Sequence, residues 1–269
     1  MVYSEDMRRN GTASSQHIAF IVGVCLIVSI ISTTFVACAS TPIEPQHYSE
    51  EESAKAEEAI RLLLERTSTA APENMFVTKA DLSQLGNYIP QTAQGILEEL
   101  DIIPGFRAEC QKWLDSVYPV CASLALTIPE RLAETIATMQ IQNPQAIVQG
   151  ETTSATSLLD NTCSAKLEKE LLQELQHRFA ETNGEEPNAD ALWSRIVNKY
   201  NIWRTAQLNL TQYSGRTVPK EIGGDIVGHL ARLICDMFFT QMAIEEDAIR
   251  TTPKPQDTSL IAEVFVVAQ

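Results

Sequence analysis

The segment 222–250 constrains the fold more than any other part of this chain. Ile222, Ile226, Leu230, Leu233 and Met237 fall on one stripe at helical spacing, and Val227, Ala231, Ile234, Phe238 and Met242 fall on a second stripe beside it. Two adjacent stripes cover an arc too wide for a single neighbour, so this helix belongs at the centre of its domain, packed on several sides. Apolar and polar residues nowhere alternate long enough to mark a strand, apart from Phe265-Val266-Val267 near the end. The expected fold class is therefore all-α, an irregular multi-helix bundle.

The rest of the pattern supplies the surrounding helices. Ser49 and Glu52 read as a capping box, and Ala56, Ile60, Leu63 and Leu64 line one face of the helix they start. That helix is expected to stop before the Thr, Ser and Ala run of 67–72, which ends in Pro72. Residues 78–100 read as helical with interruptions at Gly86 and Pro90, and 106–125 as a helix broken at Pro119. Pro129 suits the first turn of a helix bearing Leu132, Ile136 and Met139. Asn143 and Pro144 suit the N-cap and first position of a short helix that Gly150 ends. The clearest long helix covers 154–181, with Leu171, Leu172, Leu175 and Phe179 at helical spacing. Another covers 189–201, with Leu192, Trp193, Ile196, Val197 and Tyr200.

Ahead of this body lies an address. Residues 1–17 are polar with Arg8 and Arg9 as their only Lys or Arg, 18–31 are almost wholly apolar, and Ser32, Thr33 and Thr34 follow. Charged, apolar, then small is the layout of a secretory signal. A start at Met7 gives Met-Arg-Arg-Asn, a more typical opening. The segment closes on Phe35-Val36-Ala37-Cys38, which resembles the bacterial lipobox, with Phe35 where Leu is usual. In lipoproteins the cysteine of this motif is lipidated and becomes the first mature residue. The expected organisation is a lipoprotein signal peptide over 1–37, lipidated Cys38 and a flexible tether over 38–48 containing Pro42 and Pro45, and a helical domain over 49–269. The apolar stretch is also about long enough to remain as an uncleaved anchor, and plain secretion is the third reading. With either attachment the body lies in the cell envelope outside the cytoplasm, held to the inner or the outer membrane.

Charge removes some partners. Lys and Arg number 20 against 35 Asp and Glu, a formal net charge of −15. Nucleic acid demands a basic footprint, so it is excluded as a partner, and unaided binding to anionic lipid is disfavoured. Chemistry-bearing patterns are few. There is no His-x-x-x-His pair, nucleophile elbow, P-loop or dinucleotide fingerprint, so neither catalytic nor metal residues are assigned, no cofactor is expected, and the chain does not read as an enzyme. Glu245, Glu246 and Asp247 with Arg250 reduce to an i,i+4 ion pair on one helix face, worth about 0.3–0.5 kcal/mol. His17, His47, His177 and His229 are scattered, and His229 reads as a hydrogen-bonded packing residue. Gly224 and Gly228 suggest a close approach between helices. Cys110, Cys121, Cys163 and Cys235 are either buried free thiols or members of up to two disulfides. Asn209-Leu210-Thr211 is a glycosylation sequon without consequence in a bacterium.

Several short elements, in their order along the chain, resemble a family of helical bacterial envelope proteins, often lipoproteins, catalogued only as a domain of unknown function. They are Ile136 to Met139, Ala146 to Gly150, Thr153 to Thr156, Lys199-Tyr200-Asn201, Leu208 and Leu210 with Tyr213, and the closing Glu245, Glu246, Ile249, Arg250, Pro253, Leu260 and Phe265. The resemblance runs over about 78–265. It implies a helical fold and an envelope location, and it brings no activity. The expected function is that of a membrane-anchored envelope lipoprotein with a structural or protein-interaction role, its partners the membrane through its lipid and another envelope protein. The alternative is a carrier of an apolar ligand such as a fatty acid or phospholipid, with Met237 and Met242 as adaptable liners.

Overall fold

The computed structural model describes residues 48–181, 187–211, 220–223, 225–252 and 259–266. Signal, Cys38 and all of the tether but Tyr48 lie outside them, as do His17, His47, Tyr213, Gly224 and Pro253. The described residues form helices and connecting turns, with no strand among them. The helices are α1 (Glu50–Met75), α2 (Leu85–Tyr88), α3 (Gly95–Glu99), α4 (Phe106–Ala125), α5 (Ile128–Thr138), α6 (Pro144–Val148), α7 (Ser154–Ala180), α8 (Ala189–Thr211), α9 (Ile226–Thr251) and α10 (Ser259–Val266). A short 3₁₀ turn, Gln91–Ala93, lies between α2 and α3.

α9 is the centre, as its wide apolar arc requires. It packs chiefly against α7 and α1, while α4 pairs with α8 and α10 lies on α1. Leu230, Ala231, Ile234, Cys235, Phe238, Phe239 and Met242 are buried along it. Leu233 and Met237 fall at its half-buried edge. The helix begins at Ile226 rather than Ile222, because the Asp225 carboxylate accepts the Gly228 N–H at 2.9 Å and sets the N-cap there. A Cβ on Gly228 would stand 2.2 Å from that carboxylate, so this glycine makes room for the cap, not for a neighbouring helix.

Five stretches differ from the sequence reading. α1 runs through 67–72 to Met75. Thr67, Ser68 and Thr69 bond back to the carbonyls of Leu64 and Glu65, and Pro72 is buried inside the helix. Pro119 does not break α4: it is exposed, so the bond it denies the Asp115 carbonyl falls on the solvent side. Residues 78–84 are not helical, because the Asp81 carboxylate turns the chain by accepting the Ser83 N–H at 2.8 Å. α8 continues ten residues past Asn201, whose side chain is engaged elsewhere. Phe265 and Val266, strand-like in pattern, are the end of α10.

Tertiary ties follow the helix order. The Trp113 and Trp193 rings meet at 5.0 Å between α4 and α8. Cys110, Cys121, Cys163 and Cys235 are all buried free thiols. Burial pushes Cys121, Cys110 and Cys235 up to about 12 and Cys163 up to about 11. No helix among the described residues is long and apolar enough to cross a membrane.

Candidate functional site

Three of the elements singled out in the sequence, Ala146 to Gly150, Thr153 to Thr156 and the closing stretch, meet around the α9 C-terminus. Glu246 and Arg250 are spaced i,i+4, as expected, yet they form no surface pair: they are 0% and 3% exposed, their charged atoms 2.6 Å apart. The surface value of about 0.3–0.5 kcal/mol therefore does not apply. Spacing gave the pairing, while the burial comes from what the chain lays over it.

Glu246 accepts the backbone N–H groups of Ala155 at 3.0 Å and Thr156 at 2.7 Å. Its carboxylate thus serves as the missing cap of α7, whose own N-cap residue, Thr153, makes no side-chain cap bond. Arg250 donates to the carbonyls of Ile147 at 3.1 Å and Val148 at 3.4 Å, at the end of α6. Its guanidinium also lies 4.4 Å from the centre of the Phe265 ring in α10. Burial lowers the Arg250 pKa, and the facing Glu246 carboxylate opposes that effect. One ion pair therefore holds four helices in register: α6, α7, α9 and α10.

The loop from α5 to α7 is pinned from the other side too. Arg61 on α1 donates to the carbonyls of Ile136 and Met139 and pairs with Glu57. Asn143 caps α6 by accepting the Ala146 N–H at 3.2 Å, as its sequence position suggested. Gly150 is required here, since a Cβ would lie 2.7 Å from the Ala146 carbonyl oxygen and 2.7 Å from the Ser154 hydroxyl.

A cleft of about 330 Å³ opens beside this junction, between α7 and α9. Thr153, Thr156, Ser157 and Asp160 line it from the first helix, and Asp236, Phe239, Thr240 and Ala243 from the second. Thr156 is 3% exposed and its hydroxyl has no hydrogen-bond partner. Sequence reasoning missed Asp160 and Asp236, because nothing local ties two carboxylates on separate helices.

The Lys199-Tyr200-Asn201 element builds a second junction. Asn201 holds the backbone of Ile222 with both ends of its amide, at 3.2 Å each way. Tyr200 is buried and donates to the Lys220 carbonyl at 3.3 Å, and Lys199 pairs with Glu109 at 2.7 Å. His229 places Nε2 3.0 Å from the Asn87 carbonyl, the packing role its position suggested. A cleft of about 480 Å³ opens there, bordered by Pro90, Gln91, Thr92, Asp225, His229 and Arg232. His177 is exposed and lies 3.2 Å from Glu181.

Among the described residues no three His, Cys, Asp or Glu side chains converge to hold a metal. No curated protein and no solved structure gives a significant match to the chain. A family described as protein of unknown function (DUF4197) matches residues 52–266, from the first turn of α1 to the end of α10. With most of its length covered by that match, the chain belongs to the DUF4197 family of proteins of unknown function.

Proposed function

We propose that this chain is an envelope lipoprotein: a helical domain held to a membrane by lipid on Cys38, whose work is to bind another envelope protein. The observation behind the anchor is Phe35-Val36-Ala37-Cys38 directly after a polar, apolar, small-residue succession. In the mature chain the prolines Pro42 and Pro45 oppose a helix, and ten extended residues reach about 30 Å. That is room for the domain to meet a partner without lying on the lipid.

Support for partner binding over ligand carriage comes from the interior. Met242 is fully buried among core side chains, and Met237 sits half-buried at the edge of the same packing. The two clefts beside the junctions are open and bordered by Thr, Asp, Gln and His, chemistry that suits polar groups of a protein surface more than an acyl chain.

The test is crosslinking in intact cells followed by purification of the full chain. The reading expects one envelope protein to be recovered reproducibly. Repeated failure to recover any, with a stoichiometric lipid found instead by native mass spectrometry, would replace it with the carrier reading.

A further inference from the structure

We propose that Glu99 and Tyr200 form a proton-operated switch: with Glu99 protonated, the Tyr200 hydroxyl holds the Lys220 carbonyl, and with Glu99 ionised it turns to the carboxylate and releases Lys220. Lys220 opens the segment 220–223, which precedes α9. Glu99 ends α3, and Tyr200 lies midway along α8. The two elements approach closely at Gly95, where a Cβ would stand 2.6 Å from the Tyr200 hydroxyl oxygen. Gly95 and Glu99 are spaced i,i+4 on α3, so the hydroxyl lies against the row on which Glu99 stands. One turn separates their Cβ positions by about 5–6 Å, a gap that a glutamate side chain spans.

The Glu99 carboxyl is the anomaly behind the switch. It is buried and its Oε2 has no hydrogen-bond partner, whereas buried polar atoms are normally satisfied. Glu98 stands beside it with like charge. Burial, and then that charge, push the Glu99 carboxyl up, so the folded chain favours its protonated form. From α8, Tyr200 faces it, with Arg204 one turn on. Lys199 is committed to Glu109 of α4 at 2.7 Å, and Lys220 and Glu221 are exposed. Burial pushes the Tyr200 hydroxyl up, the Glu99 and Glu98 charges push it further, and Arg204 opposes them. Tyr200 therefore keeps its proton and remains a donor wherever Glu99 titrates.

The bond that Tyr200 now makes is a weak one. It donates to the Lys220 carbonyl at 3.3 Å, beyond the range of about 2.5–3.0 Å usual for a hydroxyl donor. The other end of the segment is held better. Asn201 grips Ile222 through both ends of its amide at 3.2 Å, and the Thr92 hydroxyl donates to the Gly223 carbonyl at 2.7 Å. An ionised carboxylate accepts a hydroxyl more strongly than a backbone carbonyl does, and a neutral carboxyl has no such advantage. Ionisation of Glu99 thus draws the Tyr200 hydroxyl away and leaves the exposed Lys220 to water, while Asn201 and Thr92 keep Ile222 and Gly223 in place. The Lys220 end is held in acid and loosens as pH rises through the Glu99 titration, which burial moves above 4.5. The switch goes beyond the partner-binding reading and does not rest on it.

Amide hydrogen exchange on the full chain in neutral detergent tests the switch, read as protection relative to the unfolded-chain rate between about pH 4 and about pH 8. In the wild type, protection over 220–223 should fall about fivefold as Glu99 ionises, the effect of losing one hydrogen bond. Glu99→Gln has no carboxyl to ionise and should keep its acid-level protection across the range. Glu98→Gln removes the like charge and should move the fall to lower pH. Tyr200→Phe should show the low level at both ends. If that buried variant misfolds, the two glutamate variants carry the test. Wild-type protection that does not change with pH, or the same fall in Glu99→Gln, would overturn the switch. So would a folded Tyr200→Phe variant that keeps the wild-type profile.

Discussion

Glu246 holds its carboxylate 2.6 Å from the Arg250 guanidinium, and neither side chain meets solvent. The pair is costly to desolvate, and its return comes from the N–H groups of α7 and the carbonyls of α6 that each partner also binds. Removing one partner leaves the other charged, buried and uncompensated. Glu246→Ala or Arg250→Ala should therefore lower stability by about 3–5 kcal/mol in urea unfolding. The double variant Glu246→Leu with Arg250→Met should recover much of that loss, because no lone charge remains. If the double variant is as unstable as the two single losses added together, the pair contributes by something other than mutual compensation.

Phe238 reports on the centre of the core. It is fully buried midway along α9, so Phe238→Ala should cost about 3–5 kcal/mol. Gln241 lies half-buried and among the described residues reaches only Glu245, one turn on at 3.0 Å, so Gln241→Ala should change stability by well under about 1 kcal/mol. Urea midpoints of the two variants check both values, and a wild-type midpoint for Phe238→Ala would remove α9 from the centre.

Glu99 gives a pH signature. It is 7% exposed, one of its oxygens has no partner, and burial followed by the neighbouring Glu98 charge raises its pKa. The folded state then holds the proton more tightly than the unfolded state. Its contribution is full below the unfolded value near 4.5 and is lost as pH rises through the raised folded value. Glu99→Gln should accordingly stabilise the protein at neutral pH and leave it little changed in acid. Urea midpoints at pH 4 and pH 7 should show that divergence, and a variant less stable at neutral pH would contradict it.

The thiols should be silent in the native state. Burial lifts Cys110, Cys121, Cys163 and Cys235 to about 11–12, so little thiolate exists near neutral pH and little surface is presented. Iodoacetamide should label these four only after urea is added, as peptide mass mapping would show. Prompt labelling of any one in native protein would place it at an opening surface.

Periodicity and caps carried much of the fold. The apolar arc of α9, the Ser49 capping box and the Asn143 cap were readable because each is a local arrangement of a few residues. The errors came where a local signal met a tertiary answer. Pro72 looked like a stop but is buried inside α1, and Pro119 looked like a break but faces solvent. At the candidate site, spacing disclosed the Glu246–Arg250 pair and could not disclose its burial. That burial depends on α6, α7 and α10 arriving from elsewhere in the chain. Asp160 and Asp236 were invisible for the same reason, since only the packing of α7 on α9 brings them to one cleft.

Anchorage through Cys38 is the claim on which the functional account turns. The most direct measurement is metabolic labelling of the full chain with radioactive palmitate, in wild type and in Cys38→Ala, with membrane fractionation alongside. The account predicts label on the wild-type chain, none on the variant, and a changed membrane partition for the variant. Equal labelling of the two chains, or none on the wild type, would contradict it.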